Sequence, residues 1–164
     1  MILITMIPQS AVAHDAFGDL GPFYANLLHP VVDPLQAALV IGAAALLARR
    51  QVEEVRLALP MFVLAASGVY LASIWLAVDI SVSGPPALAA LVAGLMAMLP
   101  QRRVPKSAVA AVLVASGAFT GLAPGRPALE APVMQASLGT IAGTAVFSML
   151  SWLVLDTLAR RASP

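Results

Sequence analysis

Polar and charged positions in this chain come in short bursts separated by long apolar stretches. Five apolar runs stand out, at 34–48, 57–78, 85–100, 107–123 and 133–158. A helix needs about 20 apolar residues to cross a bilayer core, with a working range near 17–25. The second and fifth runs meet that length unaided. The first, third and fourth fall short and need flanks such as Val31–Asp33 or Ser81–Gly84 to reach across. The pattern predicts an all-α, polytopic transmembrane helix bundle of five spans. Six is the alternative count, because short runs also suit broken or re-entrant helices.

The charges orient the bundle. Arg49, Arg50 and Arg56 follow the first run, Arg102, Arg103 and Lys106 the third, and Arg160 and Arg161 the fifth. The alternate loops hold only Arg126, so eight of nine basic residues fall on one side. The positive-inside rule makes that side cytoplasmic, with the N-terminus outside and the C-terminus inside an inner (plasma) membrane. Composition agrees. The chain is 60% hydrophobic and 10% charged, with mean hydropathy +0.92, where a soluble domain carries about a quarter charged residues. No basic stripe is interleaved with aromatics, which excludes a nucleic-acid partner. Cysteine is absent, and with it disulfides, thiolate metal sites and cysteine nucleophiles.

The first thirteen residues, MILITMIPQSAVA, end in a small-x-small pattern suited to signal peptidase but lack a basic n-region. They read as a signal peptide or an N-terminal extension, and 14–164 as one helical domain. Cleavage after Ala13 would start the mature chain at His14, on the outside.

Small residues punctuate the runs. Gly117–Gly121 and Gly139–Gly143 are GxxxG spacings, which set two glycines on one helix face and let backbones approach. Tight packing within the bundle is the plainer reading; a homo-oligomer face is the sharper one.

Candidate chemistry is concentrated before the first run. Both histidines, His14 and His29, lie there with Asp15, Asp19 and Asp33. Imidazole with carboxylate suits Ni²⁺, Co²⁺ or Zn²⁺, and a free amine on His14 after cleavage would add a donor. A structural account competes. Asp33-Pro34 is a good helix start, with Asp capping N–H groups and Pro at the first position, and His29-Pro30 would mark the turn before it. Asp156 and Arg160 form an i, i+4 pair near the inner interface. Asp79 and Glu130 fall at outer ends of spans. No span carries a charge near its middle, which counts against a proton-coupled pump. Ser67, Ser73, Thr120, Ser137, Thr140, Thr144, Ser148 and Ser151 could line a polar path, although hydroxyls in membrane helices commonly bond to backbone. There is no Gly-x-Ser-x-Gly elbow, no HExxH and no phosphate-cradling loop, so the chain does not read as an enzyme.

The order of these features resembles the HupE/UreJ family of hydrogenase and urease accessory membrane proteins. The likeness runs through AVAHDAFGDLGPFYANLLHPVVDPLQAALVIGAAALLA, LALPMFVLAASGVYLA and SGAFTGLAPGRPALEAP. The family's first signature reads His-Pro-x-x-Gly-x-Asp-His. Here His29-Pro30 matches. With a two-residue deletion, the preferred alignment because it also matches Gly42, Asp33 takes the Asp place and Pro34 replaces the His. Without it, Leu35 and Gln36 stand there. The second signature, near Phe-His-Gly-x-Ala-His-Gly, reads Phe119-Thr120-Gly121-Leu122-Ala123-Pro124-Gly125, with both histidines gone. An acidic residue expected near the third span is replaced by the surroundings of Pro85-Pro86.

The resemblance implies a permease for nickel or cobalt as the transported ion, with no tightly bound cofactor. It carries over His14, His29 and Asp33 as metal residues at the outer mouth. The alternative is a non-transporting membrane subunit that keeps the glycine scaffold to assemble with a protein partner.

Overall fold

A computed structural model describes residues 20–76, 84–100, 103–122 and 133–162. Those residues form helices, with no strand among them. The helices are α1 (Gly21–Val32), α2 (Pro34–Leu47), α3 (Val52–Trp75), α4 (Gly84–Met98), α5 (Lys106–Leu122) and α6 (Val133–Ala162). The five apolar runs reappear as α2 to α6. α1 was not expected, because His29, Pro30 and Asn26 interrupt its apolar pattern. Residues 1–13, His14, Asp15, Asp19, Asp79, Arg126 and Glu130 lie outside the described residues.

α2 occupies the centre, packed on α1, α4, α5 and α6. Its sequence explains the position. It carries no charge, and eight of its fourteen residues are buried, from Gln36 to Leu47, as expected of a helix apolar all round. Around it, the closest helix pairs are built on glycine. A Cβ on Gly117 would meet the Phe62 carbonyl oxygen at 2.5 Å, and one on Gly121 would overlap that of Ala66. Positions 117 and 121 thus follow 62 and 66, so α5 runs parallel to α3. Gly139 and Gly143 likewise face the carbonyls of Phe23 and Leu27, and α6 runs parallel to α1. Both GxxxG faces are therefore occupied within the chain. A homo-oligomer would have to use another surface.

The helix ends alternate. The last turn of α2 meets the first turns of α3 and α5 and the end of α4. Arg50 contacts the Val104 carbonyl at 3.2 Å and Glu54 at 3.7 Å, Lys106 contacts Glu54 at 2.8 Å, and Arg49 donates to the Ala97 carbonyl at 3.3 Å. Arg49 so places a cation on a helix C-terminus, where exposed carbonyls favour one. Phe147 and Trp152 of α6 pack against the core cluster that includes Leu46, Leu47, Val55, Val104 and Val109, which brings the second half of α6 to that region. Glu54, which needed no account in the sequence, is the carboxylate that ties α2, α3 and α5 together.

The outer surface is apolar. Leu57, Leu64, Trp75 and Leu76 are each at least 70% exposed, more contiguous apolar surface than a soluble monomer leaves open. α3 and α6 are long and apolar enough to cross a membrane, and α1 with α2 passes the same test as a pair. α4 and α5 are shorter apolar helices. The chain is an all-helical bundle of membrane type.

Candidate functional site

The first candidate span is broken. α1 and α2 meet at 66° around Asp33. The cause is local. Pro34 lacks an N–H and forces the residue before it out of helical geometry, and Asp33 sits at φ −82°, ψ 111°. Its carboxylate then caps α2, accepting from the backbone N–H groups of Leu35 at 2.8 Å and Gln36 at 3.2 Å. The Asp33 N–H closes α1 on the His29 carbonyl at 2.9 Å.

This arrangement has a consequence for the carbonyls of Pro30, Val31 and Val32. Their helical donors would be the N–H groups of residues 34, 35 and 36. The first does not exist, and the other two are given to Asp33. The end of α1 thus presents carbonyls released from the helical ladder, at the negative end of its dipole. Discontinuous helices use such ends to attract cations.

His29 stands one turn before the break. It is 3% exposed and therefore faces protein, not water. The sequence placed it in an outer turn; the structure places it, with Pro30, in the last turn of α1. Pro30 and Asn26 are buried on the same helix. Asp33 is only partly buried and serves as a cap, which is the structural account considered from the sequence. Asp33→Ala should lower stability by about 1 kcal/mol, the usual worth of a cap, and Asp33→Asn should restore most of it. Unfolding of the purified variants in detergent checks this.

More polar groups lie inside the bundle beyond the break. Gln36, 1% exposed, reaches the Thr120 carbonyl with its Nε2 at 3.5 Å. Thr120 bonds the Ser116 carbonyl at 2.8 Å, one turn earlier on α5. Thr140 of α6 bonds the Asn26 Oδ1 at 3.3 Å and its own Ala136 carbonyl at 3.1 Å. From Thr140 the inner face of α6 continues at intervals of four through Thr144, Ser148 and Trp152 to Asp156, with Thr144, Ser148 and Asp156 buried. That stripe extends about 24 Å at 1.5 Å per residue, and ends on the bond from Arg160 Nε to Asp156 at 2.7 Å. Several of these hydroxyls are spent on backbone, as expected. Among the described residues, the buried hydroxyls of Tyr70 and Ser116 have no hydrogen-bond partner. Buried polar groups are nearly always satisfied, so these mark a polar interior with capacity left over.

Asn26, Tyr70 and Ser116 escaped the sequence reading, and Gln36 entered it only as the residue at a signature position in one of two alignments. For Gln36 a signal existed, since it is the sole amide in an uncharged run. Among the described residues, no three of His, Cys, Asp or Glu gather closely enough to hold a metal ion.

Gln36 and Thr120 also bear on the family signatures. They are the residues at two lost histidine positions, if the first signature is aligned without a deletion. Their contact across α2 and α5 brings those positions together. In place of two imidazoles the chain has an amide donating to a backbone carbonyl.

No curated protein and no solved structure matches the chain. The model of one family, described as HupE / UreJ protein, matches residues 2–164. With so nearly the whole sequence covered, and a helical bundle of the expected kind, the chain belongs to the HupE/UreJ family.

Proposed function

We propose that this protein takes part in divalent metal uptake, nickel or cobalt, across the inner membrane. In this reading α1–α2 is one broken span and the chain crosses five times, N-terminus outside and C-terminus cytoplasmic. The observation that carries it is the break beside His29. A buried imidazole, a partly exposed carboxylate and a helix end with released carbonyls lie within one turn of each other, and a polar interior extends beyond them. Ion attraction follows from the α1 dipole and Asp33. His29, with His14 where the outer segment reaches it, offers nitrogen; the interior offers neutral oxygen. So sparse a donor set releases its ion readily, as passage demands.

A second reading, a non-transporting subunit of a larger membrane complex, is favoured by one observation: amide and hydroxyl stand where the signatures have imidazole.

Nickel-63 uptake into cells separates the two. Wild type should exceed empty vector, and His29→Ala should lower the initial rate about tenfold, equivalent to about 1.4 kcal/mol of lost ligand interaction. Asp33→Asn keeps the cap and removes the charge, so a loss there isolates electrostatic recruitment. No uptake by wild type sinks the transport reading. Uptake that survives His29→Ala removes the site while leaving transport.

A further inference from the structure

At the basic end of the bundle a cavity of about 200 Å³ opens between α3 and α5. It is lined by the apolar Leu47, Leu57, Met61 and Val109 and the small Ala58 and Ala110, together with the charged Arg50, Glu54 and Lys106. We infer that this groove is a binding site for an anionic phospholipid, with the headgroup phosphate on Lys106 and Arg50 and an acyl chain along α3.

The two halves of the site demand a ligand with two chemistries. Leu57 is 72% exposed, Met61 45% and Leu64 70%. They follow one another at i, i+4 and i+7, so the apolar track climbs α3 away from the charges. Such an apolar lining suits a hydrocarbon chain. The charged end is net positive. Among the described residues, Arg49, Arg50, Arg56, Arg103 and Lys106 lie at or beside these helix ends, with Glu53 and Glu54 as the acidic residues there. Glu54 occupies one donor of Lys106, but that side chain is 77% exposed and its ammonium has three donors. Arg50, only 7% exposed, is held by Val104 and Glu54 with guanidinium donors to spare. Basic pockets between helices at the cytoplasmic side recognise anionic headgroups in this way. The inference is independent of what, if anything, the protein transports.

Native mass spectrometry of the full chain, purified with equal amounts of phosphatidylglycerol and phosphatidylcholine of matched chains, tests it. Wild type should retain the anionic lipid about fivefold over the zwitterionic one, the worth of one surface cation. Lys106→Gln, at an exposed position, should abolish that preference without changing total lipid retained. Ala110→Leu should lower retention of both lipids by filling the groove. Equal retention of the two lipids by wild type overturns the proposal, as does a preference that Lys106→Gln leaves intact. Retention of both lipids that persists at full strength in folded Ala110→Leu, judged by an unaltered elution profile, places the lipid elsewhere and overturns it too.

Discussion

Valine at position 121 is expected to force α3 and α5 apart and to cost about 3 kcal/mol or more, the upper range for overpacking a well-filled contact. The reason is that the obstacle is backbone. A Cβ there would overlap the Ala66 carbonyl oxygen and come within 3.0 Å of the Tyr70 nitrogen. A side chain could rotate away, but the α3 backbone can yield only by moving the helix. That helix is also held at Gly117, by the Phe62 carbonyl. Moving it disturbs Phe62 and Tyr70, which are 0% and 1% exposed. Gly68→Ala and Gly94→Ala supply the contrast. Nothing lies within 4 Å of a Cβ at either, and alanine inside a helix gains roughly 0.5–1 kcal/mol over glycine. Thermal midpoints from detergent-solubilised protein, read by fluorescence size exclusion, should fall steeply for Gly121→Val and hold or rise for the other two. Equal midpoints for Gly121→Val and Gly68→Ala would show that the close approach of α3 and α5 is not needed.

The comparison of those glycines shows what could be read from the chain alone. The apolar runs forecast α2 to α6 because lipid imposes a length and an absence of charge that few other settings demand. The spacing of Gly117 with Gly121, and of Gly139 with Gly143, forecast close helix contacts, since the absence of two Cβ atoms on one face has few other uses. Which helix would fill each face was not legible. Partner choice depends on α3 and α1 presenting carbonyls at matching intervals, and every helix has carbonyls.

The site was legible in a different proportion. Asp33-Pro34 announced a helix start because capping is local chemistry, complete within a few residues. His29-Pro30 suggested a turn, and there local chemistry misled. Pro30 is carried inside the final turn of α1, and both residues are buried. Asn26, Gln36, Thr120 and Thr140 were paired only when four helices converged, through contacts spanning 84 and 114 positions of sequence. No window along the chain contains that information. The glycines that permit the convergence were visible, but what they would bring together was not.

That dependence makes the second prediction sharper than a stability effect. Gly143→Ala should depress metal uptake as strongly as His29→Ala, although residue 143 offers no ligand in either form. A single methyl is enough, because the Cβ itself would overlap the Leu27 carbonyl oxygen and approach the Leu27 Cα at 3.0 Å. α1 must then retreat until carbon and oxygen reach about 3.3 Å, the limit of a close C–H···O approach. Leu27 is two residues before His29 and one after Asn26, so the retreat carries the imidazole with it. It also lengthens the bond from Thr140 to Asn26, already 3.3 Å, beyond useful reach. The expected cost is about 1–3 kcal/mol, enough to lower the midpoint but leave folded protein to assay. Uptake must accordingly be normalised to the folded fraction from the same cells. A Gly143→Ala protein with a lowered midpoint and undiminished uptake per folded molecule would show that the seat of α1 on α6 serves the fold alone, and that metal does not pass by His29. A normal midpoint with abolished uptake would show the reverse, that α6 tolerates a shifted α1 while the ion does not.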